Sequence, residues 1–214
     1  MSGKTDEKPV TVRIGSVSLA GDLGIPAGAK GIVIFAHGSG SSRLSPRNRL
    51  VAETLREGGI GTLLFDLLTE REDQDYSRRF DIALLTERLI GATRWLKEQP
   101  EARGLGLGYF GASTGSAAAL FAAAEPGAGI RAIVSRGGRP DLAAPALPKV
   151  QAPTLLIVGS NDYGVIELNR EAYEMLTGIK HLSLVPGATH LFEEPGALEE
   201  VARLAREWFQ KHLV

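Results

Sequence analysis

Cysteine is absent from this 214-residue chain, which excludes disulfides, thiolate nucleophiles and zinc sites of the cysteine type. Histidine is scarce: four residues, at 37, 181, 190 and 212, with no spacing that suggests a metal site. No apolar run approaches the roughly 20 residues that a membrane helix needs. Neither sign of charge dominates, since 24 basic residues stand against 25 acidic ones, so neither nucleic acid nor an anionic membrane is expected as a partner. A small molecule is the default ligand, and a monomer or small homo-oligomer the default assembly. Residues 1–9 are polar, lack an apolar h-region and read as a disordered or extended tail, so a cytoplasmic protein is expected.

What is present is enough apolar residue, 43% by count, to bury a sizeable core, expected as a single domain over 10–214. Val10 to Ile14 and Val17 to Leu23 alternate apolar with polar or small residues around Gly15-Ser16, the pattern of an antiparallel hairpin. Then the pattern changes. Gly31 to Ala36, Ile60 to Phe65, Leu105 to Phe110, Ile130 to Val134 and Thr154 to Val158 are short continuous apolar runs, strands covered on both faces, and Leu182 to Val185 is one more. Helical periodicity fills the gaps: Arg47 to Glu57, Asp81 to Lys97, Ser113 to Ala124, Val165 to Leu176, and Pro195 to His212 with proline in its first turn. The fold class is α/β: a mostly parallel central sheet with an N-terminal antiparallel hairpin and helices on both faces.

In such sheets chemistry collects at the carboxyl ends of the strands. The residues just past the apolar runs include His37-Gly38-Ser39-Gly40, Asp66, Gly111-Ala112-Ser113-Thr114-Gly115, Ser135-Arg136-Gly137-Gly138, Asp162 and His190. The third group is a G-x-S-x-G between a strand and an Ala-rich helix, where a tight turn needs side-chain-free neighbours and leaves the hydroxyl exposed. Alone the match is weak, and the plain alternative is a serine capping its helix. Context favours chemistry. A serine nucleophile needs a base, and the base needs an orienting carboxylate; His190 and Asp162 follow the last two strands in the order expected, with Asp141 as the rival acid. Donors for a tetrahedral intermediate are offered by Gly38 and Ser39, with the Thr114 amide opposite. His37 reads as shaping that turn, Asp66 as a loop residue near the site and Asp81 as a first-turn helix acid. His181 stands at the wrong end of the sheet, and His212 in the last turn of its helix complements the dipole.

HGSG at 37–40, GYFGASTGSAAAL at 108–120, SRGGRPDLA at 135–143, APTLLIVGSND at 152–162 and VPGATHLFEEPG at 185–196 make the chain similar to small serine hydrolases of the α/β-hydrolase superfamily, in its dienelactone-hydrolase-like branch. The similarity spans nearly the whole chain. It implies an α/β-hydrolase fold, a catalytic triad of Ser113, Asp162 and His190, an oxyanion hole from the Ser39 and Thr114 amides, and hydrolysis of a carboxylic ester. Dienelactone hydrolases proper attack through cysteine where this chain has Ser113, so dienelactone does not carry over as the substrate.

No cofactor or metal is expected. Gly106 to Gly111 spells the dinucleotide pattern G-x-G-x-x-G, but the apolar run passes through these glycines instead of ending before them. Only Thr69 to Phe80 and Ser135 to Val150 could form a cap, and both are short, so a small ester in an open site is expected. Gly38, Arg136, Tyr163, Leu191 and Phe192 are the candidates for substrate contact, with Leu67, Leu68 and Val165 as further walls. Arg136 or Arg43 would suit a substrate carboxylate. For Arg136 the simpler expectation is a structural ion pair with Asp141, Glu193 or Glu194. Thioesterase, amidase or perhydrolase chemistry would use the same residues, and a non-catalytic binding protein on this fold is the remaining alternative.

Overall fold

In the computed structural model, which describes residues 7–213, the hairpin is β1 (Lys8–Ile14) and β2 (Val17–Gly24), turned at Gly15 with φ +58°. The tail expected over 1–9 lies mostly outside the described residues, and its last two positions, Lys8 and Pro9, are already in β1. The apolar runs form β3 (Gly31–Ala36), β4 (Gly61–Phe65), β5 (Gly106–Ala112), β6 (Ile130–Arg136), β7 (Thr154–Gly159) and β8 (Lys180–Val185). The helices are α1 (Pro46–Glu57), α2 (Glu70–Asp73), α3 (Ile82–Glu98), α4 (Thr114–Ala124), α5 (Tyr163–Met175) and α6 (Ala197–His212).

All eight strands join one sheet in the order β1-β2-β4-β3-β5-β6-β7-β8. β2 runs antiparallel to both its neighbours, and the strands from β4 through β8 are mutually parallel. Residues of the inner strands alternate between two cores. Val33, Phe35, Phe110 and Val134 face α1 and α6, while Ile32, Ile34, Tyr109 and Leu63 face α3 and α4. Burial on both faces explains why these strands read as unbroken apolar runs.

The chain steps from β3 to β4 on one side and then returns to β5 on the other, so the carboxyl ends of β3 and β5 diverge at a topological switch point. Open α/β sheets bind ligands at such crevices. The glycines of the 106–111 pattern lie inside β5 and serve packing: a Cβ on Gly108 would come within 2.9 Å of the Phe209 ring of α6.

Local signals differ from expectation in two places. Asp81 is the N-cap of α3, its carboxylate accepting the Leu84 N–H at 3.0 Å, and not a first-turn acid. Pro195 lies before α6, whose N-cap is Gly196 at φ +80°. Within the charged stretch from Thr69, a capping box between Thr69 and Glu72 closes the single turn of α2. Among the described residues no helix is long and apolar enough to cross a membrane.

Candidate active site

Ser113 joins β5 to α4 at φ 49°, ψ −122°, a conformation that costs a non-glycine residue about 1–3 kcal/mol. Its neighbours permit the turn. A Cβ on Gly115 would collide with the Ala36 carbonyl oxygen and lie 2.5 Å from that of His37, and a Cβ on Gly111 would strike the backbone of Ser116. The turn is locked from behind: Ser113 N–H donates to Arg136 O at 3.3 Å, and Arg139 N–H and the Ser116 hydroxyl both donate to Ser113 O, at 3.1 and 2.7 Å. The Ser113 side chain makes no capping hydrogen bond to α4, so the capping alternative does not describe it.

Asp162 occupies the N-cap position of α5 and does not cap it either. Its Oδ2 lies 2.7 Å from His190 Nδ1, a separation at which that nitrogen donates. The loops after β7 and β8 are knitted together so that the two residues meet. Ser160 N–H donates to Val185 O, Asn161 N–H to Ala188 O, and Gly187 N–H to Ser160 Oγ. His190 also rests over the end of β6, where a Cβ on Gly137 would come 3.5 Å from its Cε1. Gly137 follows Arg136, the register partner of Ala112, which places the ring on the side of the Ser113 turn. Among the described residues no hydrogen bond joins the Ser113 hydroxyl to His190; catalytic contacts of this kind are often long in unliganded proteins.

The turn after β3 sits directly on Ser113: a Cβ on Gly38 would approach Ser113 Cβ at 3.0 Å and Ala112 O at 3.2 Å. The Ser39 N–H, expected to face an oxyanion, instead donates to Thr114 Oγ1 at 3.0 Å. His37 braces the turn. It is buried, its Nδ1 donates to Gly38 O at 3.0 Å and its Nε2 accepts the Leu67 N–H at 3.0 Å, tying the end of β3 to that of β4. Burial holds its pKa below the ordinary imidazole value.

The remaining candidates separate. Asp141 is engaged bidentately by Arg139 at 2.8 and 2.7 Å, so it is not beside His190. Arg43 is committed to Asp22 and Asp66, whose Oδ1 also accepts its N–H. His181 lies at the amino end of β8, opposite the carboxyl ends of the strands, and His212 packs on Trp208 with ring centroids 4.4 Å apart. Tyr163 and Leu191 are open to solvent at 73% and 41% exposure. Phe192, expected in a wall, is 1% exposed and packs into the α1–α6 core from a backbone at φ 57°. Arg136 forms none of the three expected ion pairs.

Ser116 and Asn169 brace the backbone of the Ser113 turn and of the loop after β6, and the sequence reading did not single them out. Ser116 Oγ accepts the Arg139 N–H at 3.1 Å while donating to Ser113 O, and buried Asn169 donates to Gly138 O at 3.1 Å. A hydroxyl three residues after the turn serine was the available signal. Among the described residues no group of three or more His, Asp or Glu is placed to hold a metal ion.

No family model matches the chain. A solved structure of dienelactone hydrolase from Anabaena variabilis is 58% identical, with a TM-score of 0.95, and the match covers 99% of this chain and 100% of that one. An esterase from Pyrococcus furiosus shares the fold at 19% identity and a TM-score of 0.82, over 98% and 92% of the two chains. Among curated proteins, one from Mycobacterium tuberculosis, provisionally named a phosphoribosyl transferase, is 58% identical over 207 residues. That match covers 97% of this chain and 47% of the relative, so the chain spans about half the length of the curated protein.

Proposed function

The chain belongs to the dienelactone hydrolase family of the α/β-hydrolase fold, and we propose that it is a serine hydrolase cleaving small carboxylic esters through Ser113, His190 and Asp162. The observation that carries this reading is the 2.7 Å Asp162–His190 contact beside a serine held in a strained, uncapped turn. His190 Nε2 takes the Ser113 proton as Oγ attacks the ester carbonyl, and the carbonyl electron pair moves onto oxygen. Backbone amides of the two turns, Thr114 first among them, stabilise that oxyanion. Asp162 keeps His190 in the tautomer whose Nε2 is a free acceptor and stabilises the imidazolium that forms. Collapse of the intermediate breaks the bond to the alcohol, which leaves with the proton from His190. Water, activated by the same ring, then releases the acid and restores Ser113.

The small substrate is supported by the modest cover over the site: α2 with a single 3-10 turn on one side, and two 3-10 turns after β6 on the other. Thioesters, amides and peroxide as acceptor would engage the same groups. Phosphoribosyl transfer is named for a protein about twice as long, and the geometry around Ser113 gives it no support. The reading is tested with a short p-nitrophenyl ester and a fluorophosphonate probe. Ser113→Ala is expected to abolish both hydrolysis and labelling, and labelling that persists in this variant would overturn the assignment.

A further inference from the structure

Arg136 is a cation placed in a core. It is 8% exposed, it extends from the end of β6 toward the α1–α6 layer, and its Cζ lies 5.9 Å from the centroid of the buried Phe192 ring. Its Nε and Nη1 are buried without a hydrogen-bond partner. None of the three carboxylates expected to neutralise it does so: Asp141 is held by Arg139, Glu193 pairs with Arg47 at 3.2 Å, and Glu194 accepts the Thr189 amide and hydroxyl through Oε1 while its Oε2 is left without a partner. Among the described residues no salt bridge reaches Arg136.

Among the described residues the charge that adds to the effect of burial has the wrong sign. Burial first, and then repulsion from Arg47, bring the Arg136 pKa down to about 10. Arg47 stands in the first turn of α1, where the helix dipole adds positive potential, and its Nε is also buried and unpaired. Its partner Glu193 is mostly solvated, so that ion pair offsets little. Arg136 Nε and Nη1 and Arg47 Nε are thus desolvated donors that no acceptor reaches among the described residues. A buried cation left without a counter-charge is strongly unfavourable, and Arg forks are suited to planar or spherical anions.

We propose that Arg136 and Arg47 form a binding site for a small anion, a halide or a carboxylate, held against Phe192 beneath the turn that carries His190. Phe192 N–H donates to Thr189 O, so an anion that fixes the Arg136–Phe192 stack also fixes the turn around His190. The site does not require Ser113 to be a nucleophile. Two sources supply this chemistry: a free ion, or a carboxylate carried by the substrate.

The test raises chloride or acetate against the bulky sulfonate HEPES at fixed pH and ionic strength and follows thermal unfolding of the whole chain. At an anion concentration about ten times its dissociation constant the midpoint is expected to rise by roughly 3–6 °C and then level off. Arg136→Leu removes an unpaired charge in favour of an apolar side chain, so it is expected to fold and to lose the anion response. Arg47→Gln, at a half-exposed position, is expected to weaken the response and serves if the leucine variant does not fold. A parallel arm compares a neutral ester with a carboxylate-bearing ester of equal length. If the substrate is the source, chloride competes and Arg136→Leu raises KM about tenfold for the acidic ester alone. Unfolding independent of chloride and acetate in the wild type, together with equal effects of Arg136→Leu on both esters, would overturn the site. If no ester is cleaved, the hydrolase reading has failed and the unfolding arm alone decides the anion site.

Discussion

The Ser39 amide and the Thr114 hydroxyl, 75 residues apart in the chain, are joined by a 3.0 Å hydrogen bond across the switch point of the sheet. This bond sets the spacing between the two turns that would flank a developing oxyanion. Thr114→Val removes the acceptor and keeps the shape. It is expected to lower kcat roughly tenfold, below the 10²–10³ that follows loss of a direct oxyanion donor, with little change in KM. Thr114→Ser should restore most of the activity. A valine variant as active as the wild type would show that the turns hold their spacing without this bond.

Asp162→Asn preserves size and the position before α5 but presents an amide to His190. An amide that donates to Nδ1 selects the wrong tautomer, so kcat is expected to fall by about 10⁴ with the fold unchanged. Stopped assays and circular dichroism on the same sample separate the two effects. If the loss is under tenfold, His190 is oriented by something other than Asp162.

Gly115 and Gly164 make a matched pair for stability. A methyl at Gly115 meets the carbonyls of Ala36 and His37, whereas a methyl at Gly164 in α5 meets nothing within 4 Å. Gly115→Ala should cost at least about 1–3 kcal/mol in urea unfolding. Gly164→Ala should be neutral or stabilise by up to about 1 kcal/mol.

His37 predicts a pH dependence of stability with a definite sign. Its folded pKa lies below the ordinary imidazole value of 6.5 because burial disfavours the imidazolium. The unfolded chain therefore binds the proton first as pH falls. The contribution of the neutral ring is complete above about 6.5, is lost progressively below it, and stops falling once pH passes the folded pKa. Protonation would also place a donor on Nε2 facing the Leu67 N–H. Unfolding free energies from pH 8 to pH 5 should slope more steeply in the wild type than in His37→Gln, and parallel slopes would remove His37 as the cause.

Much of this was legible in the sequence for physical reasons that also explain the failures. Gly31–Ala36 could be bounded to the residue because both its faces are buried, whereas β8 began two residues before its apolar run because this edge strand is half solvated. Gly-x-Ser-x-Gly announced a strained turn through backbone sterics, which are local. The Ser39–Thr114 bond and the idle donors of Arg136 were not local. Which acids reach Arg136 depends on the direction each loop faces, and Asp141, two residues from Arg139, had a nearer partner. Phe192 was placed in a substrate wall on its apolar character, but its positive φ turns the side chain into the core behind the site.

Ser113 and Asp162 stand where serine and aspartate ordinarily accept N–H bonds from a helix, and neither does. Each idle cap forgoes about 1 kcal/mol, and the backbone at Ser113 adds its own strain. Local preference and the proposed chemistry therefore pull these two positions in opposite directions. In a library of random variants sorted for heat resistance alone, both residues should drift toward better caps or toward glycine. The same library sorted for ester cleavage should keep them, so the divergence between the two pools would map the site without a substrate complex.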